Sequence, residues 1–248
     1  MRAKNQTEIS SMREGGYKLA KILTALAEQV TAGATGKDIS ALAAEKIKAE
    51  RMQPVVLGYQ GFPDVMCVSI NESIVHGVPN NHKFKDGDVV KLDLTLSHKS
   101  MVVDSAITLV VGNNPGPDVK RLIDGTKMAL QKGISAIHGS GTRVGDIASA
   151  VQAELEKHHL GVIRDLVGHG VGYDIHEDPN IPNYGVAGTG PALMSGMTIA
   201  LEPMASLGDW QINSLKDGTV VMRDGSIGAH FEHTILVTED GAEILTTI

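Results

Sequence analysis

The chain contains a single cysteine, Cys67, and few aromatic residues, which make up 3% of its 248 residues. One cysteine allows no internal disulfide, so nothing in the sequence suggests an oxidising compartment. No run approaches the ~20 consecutive apolar residues of a membrane span. The N-terminal sequence MRAKNQTEIS also lacks the apolar stretch of a signal peptide. We therefore expect a cytoplasmic protein with no membrane partner.

Basic residues are outnumbered by acidic ones, 22 Lys and Arg against 29 Asp and Glu, for a net charge of −7. A general nucleic-acid binder normally presents a basic face, so this balance argues against a specific nucleic-acid partner. Acids that bind metal would count toward the same total without being free surface charge. Hydrophobic residues make up 42% of the chain, which is ordinary for a globular protein of one large or two small domains.

Two stretches of the chain carry apolar residues at helical spacing, residues 9–51 and 118–159. Each stretch is interrupted by a segment rich in glycine and hydroxyl residues, at 31–36 and at 138–142. A shift of 108 positions places Gly33 on Gly141 and Asp38 on Asp146, and each aspartate can cap the helix that follows it. The pattern predicts a pair of helices in each half of the chain.

The predicted strands repeat in the same way. Residues 87–93 and 196–202 share the pattern Gly-x-x-β-branched-x-Leu-acid at a shift of 109, and Asp104 and Glu232 each begin a further apolar strand. Each half therefore runs helix, helix, strands, acid, acid, which indicates an internal duplication of about 110 residues, too long for a solenoid repeat. We expect one catalytic domain, residues 1–248, with halves at about 1–115 and 116–248. Packing about a pseudo-twofold axis would bring the acids together.

The environment of these acids suggests metal binding. In the strand predicted for 89–96, Leu92 and Leu94 share one face while Asp93 lies on the other. A buried carboxylate needs a proton, a cation or a metal, and four that converge would repel one another unless divalent cations lay between them. The alternative is that each acid is merely a polar residue on the wet face of its strand. Two matching pairs of acids argue against it.

Three histidines lie in loops that contain glycine or proline, namely His76, His169 and His176. Glycines on both sides of His169 remove side-chain bulk and allow a ligand to approach the backbone. A lone histidine in an apolar setting is more often structural, but three of them beside four strand acids favour a functional site. His230 and His233 flank Glu232, and we expect at most an orienting role for them.

Together, these residues resemble type I methionine aminopeptidase in its short bacterial form. The similar segments are Asn71-Glu-Ser-Ile-Val-His-Gly-Val-Pro79, Asp93 with Asp104, Gly168-His-Gly-Val-Gly172, Leu201-Glu-Pro-Met204 and Phe231-Glu-His-Thr-Ile235. The resemblance implies the α+β "pita-bread" fold, in which two pseudo-symmetric halves surround a curved antiparallel sheet covered by helices. It also implies removal of the initiator methionine from nascent proteins, with a preference for a small second residue.

The resemblance assigns a role to each site residue. Asp93 and His169 would each chelate one of two divalent metal ions, Asp104 and Glu232 would bridge them, and Glu202 would complete the His169 side. Oxygen ligands with one imidazole suit Co, Mn or Fe, with Zn as a further candidate. The two metals would activate a water for hydrolysis. Glu202 would act as general base.

Two histidines would contact the substrate in this scheme. His176 would hydrogen-bond the scissile carbonyl, and His76 would contact the leaving-side amide.

The methionine pocket departs from the family pattern. Tyr59, Phe62 and Cys67 occupy plausible wall positions, but Ile175 stands where the family usually has phenylalanine. Thr219, or Gly218 if a one-residue gap lies nearby, stands where it usually has tryptophan. Because two aromatic walls are replaced, we expect weaker selection for methionine over other apolar side chains. The alternative is that Trp210, the sole tryptophan, fills the vacated space from a neighbouring loop.

The implied partners are the N-termini of nascent polypeptides and the ribosome near its exit site, and we expect a monomer. Because the family cleaves only before small residues, Arg2 predicts that the chain keeps its own Met1.

Three other proteins of the same fold compete with this interpretation. A proline-specific dipeptidase or aminopeptidase P usually carries a large additional N-terminal domain, which is not seen in this sequence. A binding protein derived from the fold, or a metal-free hydrolase of the creatinase type, would have lost metal ligands. All five predicted ligands are present here.

Overall fold

The computed structural model describes residues 2–112 and 114–248. Met1, for which we predict retention, lies outside these residues. The described chain contains two pairs of α-helices, as the sequence predicts: α1 (Gln6–Ala27), α2 (Gly36–Ala49), α3 (Pro117–Ser135) and α4 (Val144–Lys157). None of its helices is long and apolar enough to cross a membrane.

The strands of the described residues are mostly short. In chain order they are β1 (Gln53–Pro54), β2 (Cys67–Ile70), β3 (Ser73–Val75), β4 (Val89–His98), β5 (Met101–Val110), β6 (Gly161–Val162), β7 (Val167–Gly170), β8 (Glu177–Pro182), β9 (Thr198–Leu201), β10 (Met204–Ser206), β11 (Ile212–Ser214), β12 (Val220–Met222), β13 (Gly228–His230), β14 (Glu232–Val237) and β15 (Ala242–Ile244). A single 3₁₀ turn, Tyr59–Gly61, lies between β1 and β2.

One nine-stranded antiparallel sheet passes through both halves of the chain. Its order is β1-β4-β5-β14-β9-β7-β8, with β2 also paired to β4 and β15 to β14. The long hairpin β4–β5 comes from the first half, while β9 and β14 come from the second, and the halves join where β5 pairs with β14. The predicted α+β arrangement, two halves around an antiparallel sheet, is therefore confirmed.

The starts of α2 and α4 reproduce the duplication that the sequence suggests. Gly33 and Gly141 both have a positive φ, 91° and 96°, which glycine adopts without steric cost. The Asp38 carboxylate then accepts the backbone N–H of Thr35 at 2.9 Å, and the Asp146 carboxylate accepts that of Arg143 at 2.8 Å. Each aspartate is thus the third residue of its helix, and its carboxylate accepts the backbone N–H of the residue that precedes the helix.

The helices cover one face of the sheet and bury two hydrophobic clusters. The first packs α1 and α2 against β4 and β5, and the second packs α3 and α4 against β9 and β14. Leu92, Leu94 and Leu96 belong to the first cluster and are fully buried, as their alternation predicts. Asp93 therefore points to the opposite face of the sheet, away from the helices, and this face carries the candidate site.

Candidate active site

The register of the sheet places an acid from each half of the chain in one row. Asp93 in β4 lies opposite Ala106 in β5, and Ala106 lies opposite Glu232 in β14. Residues directly opposite each other in a sheet share a face, so the two carboxylates flank the small methyl group of Ala106. Thr95 lies opposite Asp104 and donates a hydrogen bond from its hydroxyl to Asp104 Oδ1 at 2.9 Å.

The second half contributes His169 and Glu202 to the same face. His169 in β7 lies opposite Ala200 in β9, and Glu202 follows two residues after Ala200. The His169 Nδ1 lies 2.9 Å from the Gly170 carbonyl oxygen and donates to it. This bond fixes the tautomer and leaves the Nε2 lone pair free, as a metal-binding imidazole requires. His169 Nε2 lies 3.4 Å from Glu202 Oε1.

Three of the five predicted ligands meet the geometric requirement of a metal site directly. Asp104, His169 and Glu232 are all buried, and their ligand atoms all lie within 4.8 Å of one another. Glu202 lies beside this group, with its Oε1 3.4 Å from His169 Nε2. Asp93 lies beside it because Asp93 and Glu232 are both opposite Ala106 in β5. The sheet thus brings together all of the residues that the sequence predicts as ligands.

Burial of these carboxylates strongly opposes their charged forms. Burial and the neighbouring Asp104 raise the pKa of Asp93 well above its usual range, and burial does the same to Glu232. Burial raises the pKa of Glu202 to about 8. Four acids in such surroundings can all be ionised only if cations lie between them. Their oxygen atoms, with one imidazole, are a donor set that fits divalent metals.

The stability of metal-free protein should therefore fall as the pH rises from about 6.5 to 8. The folded chain holds a proton on Glu202 that the unfolded chain releases at an ordinary pKa of 4.5, so its contribution to stability is lost as the pH approaches 8. His176 and His230 act in the opposite direction below 6.5, because their pKa values are lowered from 6.5 to about 4. Buried Lys91, whose pKa is lowered from 10.5 to about 7, also opposes the fall above pH 7, whereas Asp93 and Glu232, whose pKa values are raised well above their usual range, act with Glu202. Thermal unfolding of chelator-treated protein at each pH measures the effect.

A matched variant isolates the carboxylate in this experiment. Glu202→Gln removes the titrating group and should reduce the fall in the unfolding midpoint above pH 6.5. Divalent metal added to the unmodified chain should raise the midpoint most at the upper end of the range. An unfolding midpoint of the metal-free protein that rises steadily from pH 6.5 to 8 would contradict this account of the acids.

His176 and His76 lie beside the acids rather than among them. The His176 ring meets that of His169 edge to face at a centroid distance of 4.5 Å, and its Nδ1 lies 3.1 Å from the Tyr59 hydroxyl oxygen. Burial, and then the neighbouring His169, lower the pKa of His176 to about 4, so the ring is neutral near pH 7. The Tyr59 hydroxyl donates to Nδ1, so the proton of the neutral His176 ring lies on Nε2, which is then a hydrogen-bond donor.

His76 has a positive φ of 57°, which is uncommon for a non-glycine residue and frequent at functional sites.

These groups line a cavity of about 670 Å³, large enough for the first residues of a peptide. Tyr59, Phe62, Cys67 and Ile175 line it as the sequence predicts for the side-chain pocket. Cys67 is buried opposite Asp93 in the β2–β4 pair. Burial, and then the Asp93 carboxylate, raise the pKa of its thiol well above the usual range, so the group is a neutral part of the wall.

The two alternatives for the second wall, Thr219 and Gly218, lie differently with respect to the cavity. Thr219 is buried but is not among the residues that line the cavity, whereas Lys216, Asp217 and Gly218 are. The reason is a turn before β12, in which the Thr219 carbonyl accepts the Leu215 N–H at 2.8 Å. The turn presents residues 216–218 to the cavity.

Trp210 does not fill the space that a second aromatic wall would occupy. Its ring packs against the guanidinium of Arg164 at 5.1 Å from the ring centroid, and Arg164 also lies over Tyr184. Trp210 is not among the residues that line the cavity. The structure therefore favours an open side-chain pocket.

Sequence reasoning missed two kinds of residue in this site. Thr95, which orients Asp104, could have been found from the alternation, because it lies two residues after Asp93 on the same face. Ala106 and Ala200 leave room for the ligands, and a small residue on an otherwise bulky strand face is the only signal they give. The turn at 216–218 gives no such signal, because its position depends on how β11 and β12 pair.

The fold and the row of carboxylates define a metal-dependent hydrolase, and comparison with known proteins gives its family. The model of metallopeptidase family M24 matches residues 10–239. The chain therefore belongs to metallopeptidase family M24, whose members use divalent metal.

Within that family, the methionine aminopeptidases match the chain over almost their whole length. A methionine aminopeptidase from Clostridium perfringens is 39% identical over 246 residues, which is 99% of this chain and 98% of the relative. The crystal structure of a methionine aminopeptidase from Thermotoga maritima matches all of both chains with a TM-score of 0.97 and 44% identity. A prolidase from Pyrococcus furiosus, at 23% identity and a TM-score of 0.79, shares the fold alone, and this chain covers 65% of it. The predicted membership and the pita-bread fold are confirmed.

Proposed function

We propose that the chain removes the initiator methionine from polypeptides by hydrolysis of the first peptide bond, at a centre of two divalent metal ions. The observation that carries this proposal is the convergence of four acids and His169 on one cavity, with Asp104, Glu232 and His169 buried in its wall. The names of its full-length relatives support the substrate. The ligands would be Asp93, Asp104, His169, Glu202 and Glu232, with Asp104 and Glu232 shared between the ions.

Each of these residues suits its role in the reaction. When bound, a pair of divalent ions supplies Lewis-acid activation of water and of the peptide carbonyl. Glu202 would take a proton from the attacking water and return it to the leaving amine. His176 donates from Nε2–H to the scissile carbonyl oxygen, and Tyr59 holds its ring in that orientation. His76 contacts the amide on the leaving side.

The metals and the surroundings of the reaction follow from the same site. Four carboxylates and one imidazole favour Mn, Fe, Co or Zn over softer ions.

The substrates would be the N-termini of nascent polypeptides with a small second residue, which the protein would meet in the cytoplasm near the ribosomal exit site. We propose that residues 1–248 act as one monomeric catalytic domain, with halves at about 1–115 and 116–248. The sheet that passes through both halves supports a single domain.

A peptide panel tests the reaction directly. Chelator-treated protein should regain activity on Met-Ala-Ser when Co²⁺, Mn²⁺, Fe²⁺ or Zn²⁺ is added in turn, and should leave Met-Leu-Ser and Ala-Pro almost uncut. Preference for the Xaa-Pro dipeptide would support the prolidase alternative. Metal binding without cleavage of any peptide would instead support a binding protein derived from this fold.

Substitution of Ile175 tests the side-chain pocket. Ile175 lines the cavity and is 9% exposed, so Ile175→Phe adds an aromatic wall where the pocket is open. A ring edge near the methionine sulfur contributes about 0.3–1.5 kcal/mol, so the preference for Met-Ala over Leu-Ala substrates should rise about 2- to 10-fold. The ratio of the two kcat/KM values measures it.

The matched control for this prediction is Ile175→Leu, which conserves volume and adds no ring. It should leave the ratio close to that of the unmodified chain. Equal selectivity in all three proteins would mean that Ile175 does not contact the substrate side chain. Strict selection for methionine in the unmodified chain would contradict the open pocket itself.

A further inference from the structure

His230 lies at the centre of the site, although neither the sequence pattern nor the proposed reaction uses it. It ends β13, where it pairs with Met204 of β10. The Thr108 hydroxyl fixes its backbone on both sides: it accepts the His230 N–H at 2.9 Å and lies 2.6 Å from the His230 carbonyl oxygen. The side chain is 2% exposed and lines the cavity. The backbone of His230 is therefore fixed, and its side chain is buried in the wall of the cavity that the acids also line.

Neither ring nitrogen of His230 has a hydrogen-bond partner among the described residues. Buried polar atoms without a partner are rare in folded proteins, and each one points to a missing ligand, ion or water. His169, by comparison, satisfies Nδ1 on a backbone carbonyl and leaves only Nε2 for a metal. The imidazole of His230 thus faces the cavity with both of its nitrogens unpaired among the residues that the structure describes.

The distance between His230 and Glu202 matches that between two ligands of one cation. Its Nε2 lies 3.5 Å from Glu202 Oε2 and 4.0 Å from Glu232 Oε2. Both distances exceed the 2.7–3.2 Å of an N–H···O hydrogen bond. Two donor atoms that each lie about 2.1 Å from one ion, at tetrahedral or right angles, are about 3.0–3.5 Å apart.

The two imidazoles stand in similar positions around Glu202. His169 Nε2 lies 3.4 Å from Oε1, and His230 Nε2 lies 3.5 Å from the other oxygen, Oε2. His169 is a ligand predicted from the sequence, and His230 stands at almost the same distance from Glu202 as this predicted ligand does.

We propose that His230 is a sixth ligand of the metal centre and gives the His169 side a second imidazole. The inference rests on the proposed function, since it assigns a further residue to the same metal site. Imidazole suits the later transition metals, whereas carboxylate and water suit Mn²⁺. A second imidazole should therefore shift the preference of the centre toward Co²⁺, Fe²⁺ or Zn²⁺ and away from Mn²⁺.

Metal affinity of the variant His230→Gln tests this assignment without reference to activity. We expect Co²⁺ to bind about 10- to 100-fold more weakly at one site, by analogy with the loss of other groups that support metal ligands, and the loss for Mn²⁺ to be smaller. Calorimetric titration of metal-free protein with each ion measures both. Unchanged affinity of a folded His230→Gln variant would overturn the proposal.

His233→Gln is the matched control, because His233 is the other histidine beside Glu232. It pairs with Ser105 and Leu201 on the opposite face of the sheet, and its Nδ1 lies 2.9 Å from the Thr246 hydroxyl oxygen. Its Co²⁺ affinity should equal that of the unmodified chain. An equal loss in both variants would mean that the effect is structural and would also overturn the assignment.

A measurement on the unmodified protein covers the case in which His230→Gln fails to fold. In the proton spectrum of the Co²⁺-loaded chain, each coordinated imidazole gives one strongly shifted N–H resonance that is lost in D₂O. Two such resonances are expected, from His169 and His230, and a single one would overturn the proposal while leaving the proposed function intact. A chain that binds no Co²⁺ at all would contradict the proposed function itself, and the His230 assignment with it.

Discussion

Asp104→Asn and Glu232→Gln should each reduce peptide hydrolysis by about 10³-fold or more. Metal ions stabilise the developing charge by several kcal/mol, and each 1.4 kcal/mol is a factor of about ten. A neutral amide cannot replace a carboxylate that two ions share. Both residues are buried and their ligand atoms lie in the cluster with His169, so no exposed acid can take their place. Turnover of Met-Ala-Ser with added metal measures the loss.

The loss should come from the metal centre rather than from unfolding. An asparagine at 104 can still accept the hydrogen bond from the Thr95 hydroxyl, and it replaces one of four acids whose charged forms are opposed by burial. Metal-free Asp104→Asn should therefore unfold at or above the temperature of the metal-free unmodified chain, with reduced metal content. Glu243→Gln is the control, since that carboxylate pairs with Arg13 at the surface. If Asp104→Asn or Glu232→Gln kept most of the original rate of hydrolysis, the ligand assignment would be wrong.

His176→Ala should lower kcat by about 10²–10³, the usual effect of losing one donor to the developing oxyanion. Its metal content should stay normal, because His176 contacts the His169 ring at its edge and is not among the predicted ligands. Steady-state kinetics and metal analysis of the same preparation test both statements.

Tyr59→Phe is the companion variant to His176→Ala. It removes the hydroxyl that lies 3.1 Å from His176 Nδ1 and keeps the aromatic ring, so its kcat should fall by much less. Loss of metal from His176→Ala would mean that His176 is a ligand, and the role of His169 would then need revision. A larger loss of kcat in Tyr59→Phe than in His176→Ala would show that Tyr59 itself contacts the substrate.

The metal ligands could be predicted because the four acids lie in periodic, duplicated segments and because the resemblance to a known family adds His169 from a glycine-rich segment that has no such period. The alternation of Leu92, Asp93 and Leu94 places the acid on one face of a strand, and the duplication places Glu202 at the matching position of the second half. Once the strands pair antiparallel, their register alone brings the acids into a row. The helix pairs followed from periodicity and from the capping aspartates in the same way.

The side-chain pocket and His230 could not be predicted in this way. Which residue of the 215–219 turn faces the cavity depends on the pairing of β11 with β12, and a shift of one residue separates Thr219 from Gly218. His230 lies just outside β14, so the period of the strand that carries Glu232 does not determine where its ring points. Both features arise from contacts between segments that are distant in sequence.

Titration of the chelator-treated chain with Co²⁺, followed by calorimetry and by Met-Ala-Ser hydrolysis in parallel, tests the dinuclear site most directly. We predict two binding events per chain, activity that rises with bound metal, and neither event at full strength in Asp104→Asn. Full hydrolysis by the metal-free chain, or two unchanged binding events in Asp104→Asn, would contradict the account.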